Sequence, residues 1–199
     1  MGELQSNSDE AAMRDLRRQA RASASLSDSE QRNLLERSAL GDRSSQARLV
    51  AAKMKMVIKQ ADARADQGLP LSDLVQEGLL GLVEAMQSFA GSGQADFERF
   101  AEERVGERMD AAIAAEASAV REAGLLVAAA TDYERVELLL RRELHREPSK
   151  SEIAQKLEWT VDRTEYVAQV VADARRRHDE ELLPFIDPDA VDIDDLIGR

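Results

Sequence analysis

Asp73, Gln76, Glu77 and Glu84 lie largely off the apolar stripe of a segment in which Leu74, Val75, Leu79, Leu82, Val83, Met86 and Phe89 recur at helical spacing. Carboxylates and an amide on the polar side of an amphipathic helix suit recognition of a basic surface. Gly78 and Gly81 sit inside the same helix, each costing about 0.8–1 kcal/mol relative to alanine. A helix that keeps two such residues needs something to come close to its backbone. Elsewhere the residues suited to chemistry are sparse. His145 and His178 are far apart and lack partners at metal-ligand spacing. Asp187, Asp189, Asp192, Asp194 and Asp195 lack the glycine and the glutamate of a calcium loop. No nucleophile elbow, no phosphate-cradling glycine loop and no setting for general acid–base work is found. The chain is read as a non-enzyme, with no cofactor and no metal site.

Composition narrows the field further. A chain of 199 residues can hold one ordinary domain or two small ones, and 43% hydrophobic with 33% charged residues fits a folded, helix-rich protein. Aromatics make up only 4%, so the core must be built from Leu, Val, Met and Ala. Without cysteine, disulfides, Cys-based zinc sites and thiol catalysis are excluded. No apolar run reaches membrane-spanning length and the N-terminus has no secretory apolar core, so a cytoplasmic protein without membrane contact is expected. The net charge of −12 has the wrong sign for binding nucleic acid alone, because such affinity rests on Lys and Arg neutralising phosphates.

An all-α order follows from the periodicity. Residues 1–27 read as a flexible leader, with Met13 and Leu16 as its apolar positions and helix allowed over 9–21. Ser27-Asp28-Ser29-Glu30 is a capping box that opens a short helix, and Gly41-Asp42 stops it. Leu49, Val50, Met54, Val57, Ile58 and Ala61 predict a helix over about 43–65; Ser72 is the predicted N-cap of the next. Phe97, Phe100, Ala101, Val105, Met109, Ala112 and Ile113 mark a long fourth helix, with a junction expected at Gly124 and 125–130. Pro148 to Glu152 form a second capping box, with a short helix, a turn at Trp159 and a last helix through Val170. From Asp179 eight acidic residues and two prolines predict an extended tail.

The charges on the fourth helix matter most. Residues 96–122 hold eight acids and four bases, a net charge of −4 that repels phosphate. Phe97 and Phe100 fit the apolar stripe and are read as core. Glu103, Glu107 and Asp110 are spaced to pair with Arg99, Arg104 and Arg108. Lys53, Lys55, Lys59 and Arg64 form the clustered positive face of the first module, read as a solvated helix face.

These segments, in this order, resemble the sigma-70 family of transcription factors from about residue 31 to 197. Asp73, Gln76, Glu77, Gly78, Gly81 and Leu82 match the family's polymerase-binding motif, with Leu79 in place of a frequent Asn. Glu147-Pro148-Ser149, Ile153-Ala154 and Leu157 resemble its third region, with Glu158 replacing the usual turn glycine. Residues 182–198 look like its acidic linker, and no fourth region follows. The resemblance implies a region-2-like helical bundle at 28–122 that binds the polymerase core, a small three-helix region-3-like domain at 130–178, and a linker-like acidic tail at 179–199. It implies a polymerase-binding site at Asp73, Gln76, Glu77, Gly78, Leu79, Gly81 and Val83, facing the β′ subunit. It further implies that Lys53, Lys55, Arg99, Phe100, Arg104 and Arg108 are where promoter DNA would be met, within a polymerase complex if at all. Glu103 and Arg104 stand where principal members are often aromatic, and Glu107 and Asp110 where the duplex edge is read. A protein that binds core, reads promoters weakly and modulates sigma occupancy is therefore expected. A mimic that sequesters an anti-sigma factor and an active sigma factor are the alternatives.

Overall fold

In the computed structural model the backbone is described for residues 2–182 and the side chains for residues 10–181. Seven α-helices and one 3-10 turn make up this part, with no strand among the described residues. They are α1 (Gly2–Ala22), α2 (Asp28–Ala39), α3 (Arg43–Asp62), α4 (Leu71–Ser88), the turn Phe89–Gly91, α5 (Phe97–Leu144), α6 (Lys150–Leu157) and α7 (Val161–Leu182). The chain forms two compact units that divide between Ala119 and Val120.

Unit 1 is organised around α3 and α4. Leu49 and Val57 of α3, Leu74 and Leu82 of α4, and Val105 and Met109 of α5 are fully buried and fill one apolar cluster. Phe89 stands edge-on to Phe97 at 5.1 Å between ring centroids and lies 5.6 Å from Phe100. Such a tilted ring cluster adds about 0.5–1.5 kcal/mol per pair beyond area burial. Both rings of α5 are thus core. The segment 1–27, read as a leader, carries α1 instead. Met13 and Ala20 of α1 are buried, Leu16 packs beside them, and Arg17 pairs with Asp62 of α3 at 2.6 Å. The apolar face is sparse, one residue per turn, which is why periodicity alone does not reveal it.

Helix ends follow local rules. Ser27 and Glu30 form the expected capping box. After α2, Gly41 takes φ +88°, a conformation that glycine alone adopts at no steric cost. Asp42 then caps α3: its carboxylate accepts from the Ser44 amide at 3.0 Å and from the hydroxyls of Ser44 and Ser45 at 2.7 and 2.8 Å. These bonds hold it well below the usual carboxylate range. Ser72 is no cap. Helix α4 begins at Leu71 after Pro70 without a side-chain cap, and the Ser72 hydroxyl meets Asp73 instead.

Unit 2 contains the C-terminal part of α5 with α6 and α7. Tyr133, Ile153 and Val167 are buried in its core, with Trp159 packed against them. The module junction expected at Gly124 and 125–130 falls within α5, which is continuous through it, and the two units divide a few residues earlier, between Ala119 and Val120. One helical glycine costs about 1 kcal/mol, which an alanine-rich flank offsets, and a Cβ at Gly124 would meet nothing within 4 Å. Ser149 and Glu152 form the second capping box. Glu158, which stands in place of the usual turn glycine, holds the left-handed conformation at φ +56°. Residues 179–182 are helical, whereas the remainder of the predicted extended tail, 183–199, lies outside the described residues.

Candidate functional site

Helix α4 has two faces of opposite character. Leu74, Val75, Gly78, Gly81, Leu82, Ala85 and Met86 point inward and are buried. Asp73, Gln76, Leu80, Glu84 and Gln87 are exposed, at the three- and four-residue steps that put side chains on one helical stripe. Leu80, 48% exposed, is the one large apolar group in this stripe.

The two glycines face α5, inside the unit. A Cβ on Gly81 would lie 2.9 Å from the Arg104 carbonyl oxygen and 3.1 Å from Val105 Cα, both backbone atoms. On Gly78 it would meet Met109 Cε at 2.2 Å and Val57 Cγ1 at 2.8 Å. The sequence rightly demands a close approach to this backbone, but the approaching element is α5. Gly78 and Gly81, both in the expected polymerase-binding set, are buried. Leu79 and Val83 are partly buried and pack on the core. Of the seven expected residues, Asp73, Gln76 and Glu77 present polar groups outward. Leu80 and Gln87, outside the expected set, are exposed on the same stripe, one helical step from Gln76 and Glu84; two adjacent leucines give no sequence signal for which faces out.

Arg108 of α5 reaches across to α4. It donates to Glu77 through Nε at 2.7 Å and to Glu84 through a terminal nitrogen at 3.0 Å. The hydrogen bond to Glu77, with both carboxylates nearby, raises the guanidinium pKa further. Two acids and one arginine leave a net negative charge at the centre of the exposed stripe. Beside it runs a groove of about 650 Å³, bordered by Asp73, Gln76, Glu77 and Arg108 and floored by Ala112 and Ala115.

The residues expected to meet DNA are engaged elsewhere. Phe100 is buried beneath Arg104, whose guanidinium lies 5.4 Å from the ring centroid. Arg99 pairs with Glu103 at 3.1 Å and Arg104 with Glu107 at 3.0 Å, as spaced. Arg108 and Asp110 do not pair with each other. Arg108 goes to α4, and Asp110 takes Arg64, just beyond the end of α3, in a two-pronged bond at 2.6 and 3.1 Å. That bond raises the arginine and lowers the aspartate. Lys53 is held by Glu98. Lys55 alone of the six is exposed with no ion pair among the described residues. The positive face read along α3 thus splits, with Lys53 and Arg64 turned to α5 and Lys55 and Lys59 turned away.

No group of His, Asp or Glu that could hold a metal is found among the described residues, and no helix there is long and apolar enough to cross a membrane. No family model matches the chain. Against curated proteins, it is 30% identical over 148 residues to RNA polymerase sigma factor SigA of Clostridium acetobutylicum, covering 74% of this chain and 39% of that protein. It is 30% identical over 143 residues to RNA polymerase principal sigma factor HrdC of Streptomyces coelicolor, covering 72% and 42%. With RNA polymerase sigma factor SigA of Synechocystis sp. it shares 26% identity over 165 residues, covering 79% and 39%. The chain spans about two fifths of the length of these relatives. Their shared likeness over some three quarters of the chain, on an all-helical fold, places this chain in the sigma-70 family of RNA polymerase sigma factors.

Proposed function

We propose that this chain takes part in transcription initiation by binding the RNA polymerase core, its α4 stripe set against the β′ clamp helices, and that it reads promoter DNA weakly or not at all. It would then modulate which sigma factor occupies the core. The observation that carries this reading is the contrast across α4 and α5. The outward face of α4 offers Asp73, Gln76, Leu80 and Glu84 to a partner, while Arg99, Arg104 and Arg108 of α5 are consumed by Glu77, Glu84, Glu103 and Glu107. An arginine already bonded to a carboxylate is a poor phosphate ligand, and the exposed acids beside it repel the strand.

The test is capture of purified core polymerase by the full chain. Replacing Gln76→Lys together with Leu80→Glu should lower affinity for core at least tenfold and leave the helical circular dichroism unchanged. Glu77 stays untouched because its carboxylate holds Arg108. Equal affinity in the double variant removes the site. Run-off transcription with core and this chain alone should give no specific transcript; a specific transcript would make it an active sigma factor. Capture of a small helical regulator in preference to core would favour the anti-sigma mimic.

A further inference from the structure

The end of α1 lies along α3, with Ala20 between two separate clefts. On one flank of α1 the lining is largely apolar and holds a single cation, Arg43. On the other flank a cleft of about 270 Å³ is bordered by Arg17 and Arg21 of α1 and by Lys55, Lys59 and Asp62 of α3, over Ile58. Four cations against one acid give this lining a net charge of +3, in a chain of net charge −12. Arg21, Lys55 and Lys59 are exposed and make no ion pair among the described residues. Arg17 spends one terminal nitrogen on Asp62 at 2.6 Å, which leaves other N–H donors of its guanidinium for a ligand. Arg17 with Arg21, and Lys55 with Lys59, are four residues apart on their helices, so each like-charged pair shares a face and repels. The helix macrodipole accounts for a cation in a last turn, as at Arg21 and Lys59. It does not account for Arg17 and Lys55, a turn further in and bordering the same cleft.

We propose that this cleft binds a compact anion of linked phosphoryl groups, held between the arginine pair of α1 and the lysine pair of α3. Guanidinium forks take two phosphate oxygens at once and lysines add point charges. The bound charge also offsets the repulsion within each pair. The volume lies just under the range of about 300–1,000 Å³ usual for drug-sized ligands, which suits a di- or triphosphate group better than a larger body. A nucleic-acid strand has no stacking platform here, because no aromatic ring lines the cleft. An acidic helix finds only one large apolar side chain, the buried Ile58, where such docking uses a series of anchors at helical steps. A free polyphosphate and the triphosphate of a nucleotide share the chemistry recognised. None of these residues belongs to α4 or α5, so the site stands or falls apart from polymerase binding.

The test is isothermal titration of the full chain with inorganic tripolyphosphate in low-salt buffer without magnesium. One saturable site is expected, weakening as salt rises. Lys55→Gln with Lys59→Gln, and separately Arg21→Gln, should each weaken it fivefold or more. These side chains are exposed, so the helical circular dichroism should stay unchanged. Arg142→Gln with Lys156→Gln removes two exposed cations of unit 2 that make no ion pair among the described residues. It should leave the affinity unchanged, which separates a built site from overall charge. ATP is titrated in parallel: tighter binding than tripolyphosphate identifies a nucleotide, equal binding leaves the base outside the cleft, and weaker binding identifies a free polyphosphate. Three results overturn the proposal: no saturable binding, equal affinity in the α1 and α3 variants, or the same loss in the unit 2 variant. Tighter binding of an octaglutamate peptide or of an eighteen-nucleotide strand, abolished by the same variants, would overturn it in favour of an acidic protein segment or a nucleic acid.

Discussion

Unit 1 and unit 2 bury different things. In unit 1 the centre is apolar: Phe97 and Phe100 stack under Phe89, and α4 meets α5 backbone to backbone at Gly81. In unit 2 the buried Tyr133 hydroxyl donates to Glu137 at 3.1 Å and accepts from Lys150; the other Glu137 oxygen takes Arg175 at 3.0 Å. The first unit is specified by shape and the second in part by satisfied polarity. A shape-specified core fails when volume changes, whereas a polar network fails when one partner is lost. The two are separable by probe. Both tyrosines and the single tryptophan, Trp159, belong to unit 2, so fluorescence reports on that unit while circular dichroism reports on both.

The largest effect should come from Phe100→Ala. Truncating a fully buried ring costs about 3–5 kcal/mol, enough to unfold much of unit 1 at low urea. Circular dichroism should show an early transition while the Trp159 transition keeps its midpoint. A parallel shift in both would show α5 unfolding as one element and would break the contrast between the units.

Gly81→Ala comes next. The added methyl meets backbone atoms that cannot step aside, and overpacking of this kind costs about 1–3 kcal/mol. Alanine returns part of that through helix propensity. A net loss of about 2 kcal/mol is expected in urea unfolding. Gly78→Ala should cost less, because the nearest atom is the free end of Met109. The reverse order would mean that α4 and α5 approach each other differently. Tyr133→Phe is the matching change in unit 2. It keeps the ring and removes the hydroxyl that joins Lys150 to Glu137, for a loss of about 1–2 kcal/mol, read as a lower Trp159 midpoint.

How much of this was legible follows the range of each interaction. Both capping boxes were readable because Ser27 with Glu30, and Ser149 with Glu152, bond within one turn. The apolar stripes of α3, α4 and α5 were readable from period alone. The docking of α1 was not, because Met13, Leu16 and Ala20 are too few to stand out from a polar helix. The partner of Arg108 was not, because no acid stands three or four residues from it on α5 and the fold supplies Glu77 and Glu84 from another helix. The glycines of α4 announced a close approach without naming the element that approaches. The site was therefore half legible: its polar residues were visible, and its facing direction had to come from tertiary structure.

The smallest effect sharpens the comparison through pH and salt. Arg146 grips Glu152 with both terminal nitrogens, at 2.6 and 3.0 Å, and the Ser149 amide donates at 2.8 Å. Led by Arg146, these bonds lower the carboxyl from 4.5 to about 2. The unfolded chain takes up a proton near 4.5 and the folded chain does not until about 2. Between those values the unfolded state therefore binds more protons, and stability falls as pH falls. The Trp159 urea midpoint should drop across that window in the wild type and drop less in Glu152→Gln, so that the two curves converge towards pH 2. The pair is solvent-facing, so the difference between the curves should be small at neutral pH and should shrink further in 1 M salt, where the screening length is about 3 Å. Curves that stay parallel down to pH 2 would mean that the Arg146–Glu152 pair does not set the acid sensitivity of unit 2.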